Sequence, residues 1–234
     1  MLRSPGLTLE GEYRINLRLY SEYKKFHIDS AIHYVDRNIE ISHQLNKPYF
    51  TNQSSLNLSL LYSMCGRFRE AEIILKSIKT SELPKDLLID YYQTYSSFWG
   101  HYSISVANNL YGKQQAAYQD SLFALIDHTS WDYRMSQASY YIWRDTLKSK
   151  EIFKELLEIE EVGTPNYAMI THSYSRLCHH QKKYDEEKKY LMLSAIADTR
   201  NATRENASLQ SLALIAYDEQ NLADAFKFTQ SAID

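Results

Sequence analysis

Apolar residues recur every three or four positions along most of this chain, in runs of ten to twenty residues broken by short polar turns. That period is helical, and the alternation of β-branched residues that marks strands is missing. Long stretches rich in Ala, Leu, Glu, Lys and Gln, with only 6 glycines and 4 prolines, agree with an all-α chain. The clearest segment is "SLNLSLLYSMCGRFREAEIILKSIKTSELP", in which one amphipathic helix, a turn at Gly66, a second helix and Pro84 follow in order.

In that segment Leu58, Tyr62, Gly66, Phe68, Ala71, Leu75 and Ile78 fall where a tetratricopeptide (TPR) repeat places its large and small residues. Ala71 is the position at which the second helix approaches the first closely. Aligning other segments on that position gives residues 31, 71, 150, 187 and 225, with spacings of 40, 79, 37 and 38. The double gap leaves room for one more hairpin, where "KDLLIDYYQTYSSFWGHYSISVANNLYG" reads as a long helix and "KQQAAYQDSLFALID" as its partner. The sequence therefore predicts an α-α superhelix, a TPR-like solenoid of six helical hairpins with the third irregular. Their approximate bounds are 12–45, 52–82, 86–128, 131–160, 166–199 and 204–234, within a single domain over 1–234. Stacked units of this kind bury a core that no single unit can.

Composition narrows the function classes. The chain is 44% hydrophobic and 24% charged, with net charge −3 and pI near 6.2. Basic residues are interleaved with acids, so no basic stripe for direct nucleic-acid binding is expected. Uninterrupted apolar runs such as "LALIAY" are far short of the ~20 residues that cross a bilayer. Twenty tyrosines stand out; a ring with a polar tip suits helix surfaces that pack on one side and meet water or ligand on the other.

Candidate chemistry is sparse. None of the eight histidines lies three or four residues from another, the spacing at which two share an ion on one helix, so no metal site is expected. No GxSxG, Walker A or GxGxxG occurs, and no cofactor is implied. Cys178 stands beside His179 and His180, but successive helical residues point about 100° apart. Cys178 shares the inward stripe of Tyr174 and reads as a buried thiol, with "QKKY" as the inter-helix turn and Tyr184 wedged behind it. Glu160 and Glu161 read as a solvated run. The Asn-x-Ser/Thr sequons at Asn52, Asn57, Asn201 and Asn206 read as chance.

TPR proteins characteristically bind extended peptides on a concave face, using the outward stripe of each first helix. By that resemblance the candidate groove residues are Asn16, Tyr20 and Tyr23 in the first unit and Met135, Ser139 and Ile142 in the fourth. The fifth supplies His172, Arg176 and His179, and the sixth Gln210, Leu214 and Tyr217. His172, Arg176 and His179 share one helical face, and a His–Arg–His cluster would hold a carboxylate or another anion.

A closer resemblance covers most of the chain. "YRINLRLYSEYKKFHIDSAIHYVDRNIEIS" and the later "YQDSLFALID" resemble the sensor region of Bacteroidetes-type TPR-containing transmembrane transcriptional regulators. The resemblance implies an extracytoplasmic helical domain after a cleaved leader, followed by a membrane helix, a coiled coil and a DNA-binding helix-turn-helix. The expected localisation is periplasmic, as a domain of an inner-membrane protein; a cytoplasmic chain is the alternative. The last unit stops at "SAID" inside its second helix with no capping helix, so either a fragment of something longer or a homodimer is expected. The function expected is a non-enzymatic module that binds a protein, peptide or ligand and serves such a regulator. A free-standing TPR adaptor is the alternative, and an enzyme the weakest class.

Overall fold

The computed structural model describes residues 6–107, 111–203 and 206–233. Parts of two expected features lie outside them: the loop of the third hairpin at 108–110, and both ends of the sixth hairpin at residues 204, 205 and 234. Among the described residues the chain is all-helical and forms six antiparallel TPR-like hairpins. They are α1 (Leu9–Tyr23) with α2 (Ile28–Leu45), α3 (Pro48–Met64) with α4 (Phe68–Ser77), α5 (Lys85–Ser105) with α6 (Gly112–Phe123), α7 (Trp131–Tyr141) with α8 (Thr146–Ile159), α9 (Pro165–His180) with α10 (Tyr184–Arg200), and α11 (Ala207–Asp218) with α12 (Leu222–Ile233). They fall into two compact units, Met1–Ile126 and Asp127–Asp234.

Local chemistry sets the helix ends. Thr8, Ser130, Asp145 and Thr164 each accept a backbone N–H of the first turn with a side-chain oxygen, and Pro48 and Pro165 occupy first helical positions. Three of the hairpin turns share a left-handed residue five positions before the aligned small residue: Gly66 (φ +79°), Lys182 (φ +59°) and Gln220 (φ +61°). Only Gly66 adopts that conformation without a Cβ penalty.

Close packing follows the expected small residues. Ala71 is fully buried, and Ser59 of α3 donates to its carbonyl at 3.0 Å. In the fourth hairpin the equivalent residue is Ser149, fully buried and donating to the Ala138 carbonyl at 2.7 Å, rather than the expected Lys150. The buried position thus lies one residue before the expected one; the α7–α8 turn, like the α1–α2 turn, has no left-handed residue. In the fifth hairpin Glu187 takes the small-residue position and is buried with its side chain 11% exposed.

The third hairpin is irregular, as expected: α5 is 21 residues long and α6 only 12. The long helix ends at Ser105, earlier than the pattern predicted, since Ala107 turns left-handed at φ +49°. At Gly100 the Gln115 side-chain amide of α6 comes within 2.9 Å of where a Cβ would stand. Tyrosines cement the contact: Tyr95 and Tyr118 stack at 4.3 Å, and Trp99 and Tyr111 at 5.6 Å.

Unit 1 is centred on Tyr20, Ala31, Val35, Leu58 and Leu61, and on a second cluster that includes Leu56, Leu75, Leu87 and Phe98. Unit 2 packs Ile142, Phe153, Leu156, Ile170, Tyr174 and Leu177 into its main core.

Candidate functional site

The first helices of the hairpins carry every residue expected to face a groove, and the structure divides these residues into two groups. Asn16 is 3% exposed; its Nδ2 donates to Asn38 Oδ1 at 3.1 Å, and Asn38 in turn donates to the Tyr13 carbonyl. Tyr20 (5% exposed), Met135 and Ile142 are also buried, each within a hydrophobic core. These four turn inward because the neighbouring helices close over them, so the expected open stripe is corrected there. Tyr23 and Ser139 are half-buried, Tyr23 stacking on Tyr34 at 5.5 Å. Arg176, His179, Gln210, Leu214 and Tyr217 are exposed.

The His172–Arg176–His179 trio does not form one anion cradle. His172 lies 2.9 Å by Nδ1 from Ser208 Oγ of α11. Ser194 spends its proton on the Ala168 carbonyl, and Ser208 donates to Ser194. The Ser208 oxygen can therefore only accept, which places a proton on His172 Nδ1. Burial first, then the Arg176 charge, push the His172 pKa below its usual 6.5, so the ring is neutral at pH 7. His179 donates from Nδ1 to both carboxylate oxygens of Glu187, at 3.1 and 3.0 Å. A carboxylate already occupies that position, and Arg176 alone is left as an exposed cation with no ion-pair partner among the described residues.

The exposed faces of α9 and α11 also carry apolar side chains. Met169, two turns earlier on α9, is 52% exposed, and Leu214 and Tyr217 on α11 are 66% and 65% exposed. At the end of α9, His180 meets Trp143 edge-on at 4.4 Å. Met169 and Trp143 were legible as surface residues only once the buried stripes of α7 and α9 were known.

The Cys178 thiol is buried, and burial followed by the Glu186 charge pushes it up to about 11. A thiol so held stays protonated and is a poor nucleophile. Tyr184 is 54% exposed and leans edge-on toward His179 at 6.0 Å, so it is not wedged behind the turn. The equivalent Phe68 is held by Phe98 and Tyr102, aromatic partners that α11 does not supply. Two of the sequon side chains are engaged internally. Asn201 Nδ2 donates to the Gly163 and Ala197 carbonyls and Asn206 Nδ2 to that of Ala232. Among the described residues no three His, Cys, Asp or Glu side chains gather as metal ligands, and no helix is long and apolar enough to cross a membrane.

A second His–Ser joint of the same kind lies in unit 1. Ser63 of α3 meets His101 Nδ1 of α5 at 3.1 Å, and burial lowers the His101 pKa. Both joints link successive first helices, so first helices stand side by side within each unit and form its inner face. That is the arrangement of TPR repeats. No curated protein and no solved structure matches the chain. The model of one family, described as the SusR N-terminal TPR domain, matches residues 1–234, and the chain belongs to that family.

Proposed function

We propose that this chain is the sensory region of a membrane-anchored transcriptional regulator, a non-enzymatic module that takes a peptide, protein segment or other ligand on the inner faces of its first helices. The family match over the whole chain supports the regulatory reading. The observation that carries the binding surface is the joint exposure of Met169 and Arg176 on α9 and of Leu214 and Tyr217 on α11, with no ion-pair partner for Arg176 among the described residues. Apolar side chains beside a cation on rigid helices suit a segment that has both apolar and acidic groups. An extracytoplasmic location belongs to the same proposal.

The reading is tested in the intact protein by combining Arg176→Gln with Leu214→Ser and following a transcriptional reporter and the melting temperature together. The expected result is a lost response to the inducing condition with unchanged melting. A normal response in that variant would contradict the assigned surface. A chain that instead gathers partner proteins without any effect on transcription would be the free-standing adaptor.

A further inference from the structure

Four of the second helices, α2, α4, α8 and α10, are each covered by the first helix of the following hairpin. Four residues after the aligned small residue they carry Val35, Leu75, Phe153 and Leu191, all buried. Val35 packs with Leu58 and Leu61 of α3, Leu75 with Leu87 and Tyr91 of α5, Phe153 with Ile170 and Tyr174 of α9, and Leu191 with Leu212 of α11. One residue after the small residue, Ile32, Glu72, Lys150 and Lys188 are half-buried, and Lys188 reaches Glu219 of α11.

In α12 the residues at these two places are Phe226, 70% exposed, and Thr229, also exposed. Leu222, one turn before Phe226, is 64% exposed. The helix is nonetheless docked, because Ala225 is buried and Phe228 packs with Leu191 and Leu212. α12 therefore turns to solvent the face that its counterparts bury. The chemistry of that face suits cover by a helix. A repeat that closes a solenoid has a polar outer face, whereas Leu222 and Phe226 form an apolar stripe. Thr229 donates to the Ala225 carbonyl at 2.8 Å and asks for no acceptor from a neighbour. Beside the stripe Lys227 is paired with Asp224 at 3.3 Å, so covering it strands no lone charge.

We infer that a helix of the polypeptide following Asp234 packs on Leu222, Phe226 and Thr229, as a first helix packs on the second helix before it. In the four covered cases that helix comes from the same chain. It starts between three residues (Leu45 to Pro48) and eight residues (Ser77 to Lys85) beyond the helix it covers. A link this short favours continuing chain over a second copy as the occupant. The covering helix is amphipathic, and it carries an apolar residue where α11 has Glu219, because Phe226 stands in place of Lys188. The inference rests on the regulator reading, in which further polypeptide follows, and the family is described as an N-terminal domain. It makes α12 the joint between the sensory region and the rest of the regulator.

Hydrogen–deuterium exchange of the intact protein and of the 234-residue chain tests this without reference to transcription, so its failure is distinguishable from failure of the regulator reading. In the intact protein the α12 amides should exchange about tenfold or more slowly than in the 234-residue chain. Combining Leu222→Ser with Phe226→Ser should remove that difference. The same double substitution should leave melting of the 234-residue chain unchanged, since both side chains are already exposed there. Sedimentation velocity reports the competing occupant, and the 234-residue chain should be a monomer. Equal α12 exchange in the two proteins, full protection retained in the double variant, or a concentration-dependent dimer of the 234-residue chain that the double substitution dissolves would overturn the assignment.

Discussion

Tyr20 in unit 1 and Leu214 in unit 2 occupy the same place in their repeats, eleven residues before the aligned small residue, and their surroundings are opposite. Tyr20 is 5% exposed and packed with Val35, Leu58 and Leu61, whereas Leu214 is 66% exposed. Arg176, at the same repeat position on α9, is also exposed. Repeat position fixes the direction in which a side chain leaves its helix. Whether that direction is open depends on what the adjacent elements place over it. At this position α1 of unit 1 buries a tyrosine, whereas α9 and α11 of unit 2 leave an arginine and a leucine exposed.

The largest effect that would break this comparison is on stability. Tyr20→Ala should cost about 3 kcal/mol, as for truncating a large buried ring, while Leu214→Ala should stay within about 0.5 kcal/mol. Urea unfolding of the two variants checks the contrast, and equal costs would refute it. Next comes the corrected register of the fourth hairpin. Ser149→Leu should lose about 2 kcal/mol more than Lys150→Leu, because only the former forces a large side chain into the α7–α8 contact. The same unfolding curves report it.

Turn chemistry gives a smaller difference. Gly66→Ala should destabilise by about 1 kcal/mol, since alanine is strained at φ +79°, and Lys182→Gly should stabilise by about 0.5 kcal/mol at a left-handed position that carries a Cβ. A gain for Gly66→Ala would contradict the turn assignment.

The smallest effects concern pH. His101 and His172 have folded pKa values below the ordinary 6.5, so the unfolded chain binds their protons more readily. Their contribution is present above pH 6.5 and is lost as pH falls through and below it. Asp90 works in the opposite sense. Its folded pKa is raised, so the folded state holds the proton more tightly, and stability declines as pH rises from the ordinary carboxylate value through the folded one. Asp90→Asn should therefore raise the neutral-pH melting temperature and flatten the acidic side of the profile. His172→Gln should flatten the stretch below pH 6.5. Melting temperatures at pH 4 to 8 check both signs.

Much of the fold was legible in the sequence because it rests on local rules. The helical period, Gly66 and the small residue at 71 specify hairpins without reference to distant elements. The fourth repeat misled because its small position is held by a serine rather than an alanine, and only the contact with the Ala138 carbonyl shows that Ser149, not Lys150, fills it. Tyr184 was misread for a related reason: its equivalent Phe68 is held by aromatic residues of α5, and nothing local announces that α11 lacks them. The site was less legible. The i, i+4, i+7 pattern of His172, Arg176 and His179 is real, but it does not show that Ser208 and Glu187 already engage both rings.

The contrast between covered and open positions on the first helices is tested most directly by hydroxyl-radical footprinting read out by mass spectrometry on methionine and tyrosine. Met169 and Tyr217, at 52% and 65% exposure, should be oxidised readily, and Met135 and Tyr20, at 8% and 5%, should be protected. Comparable oxidation within the two pairs, or protection of Met169 and Tyr217, would contradict the account.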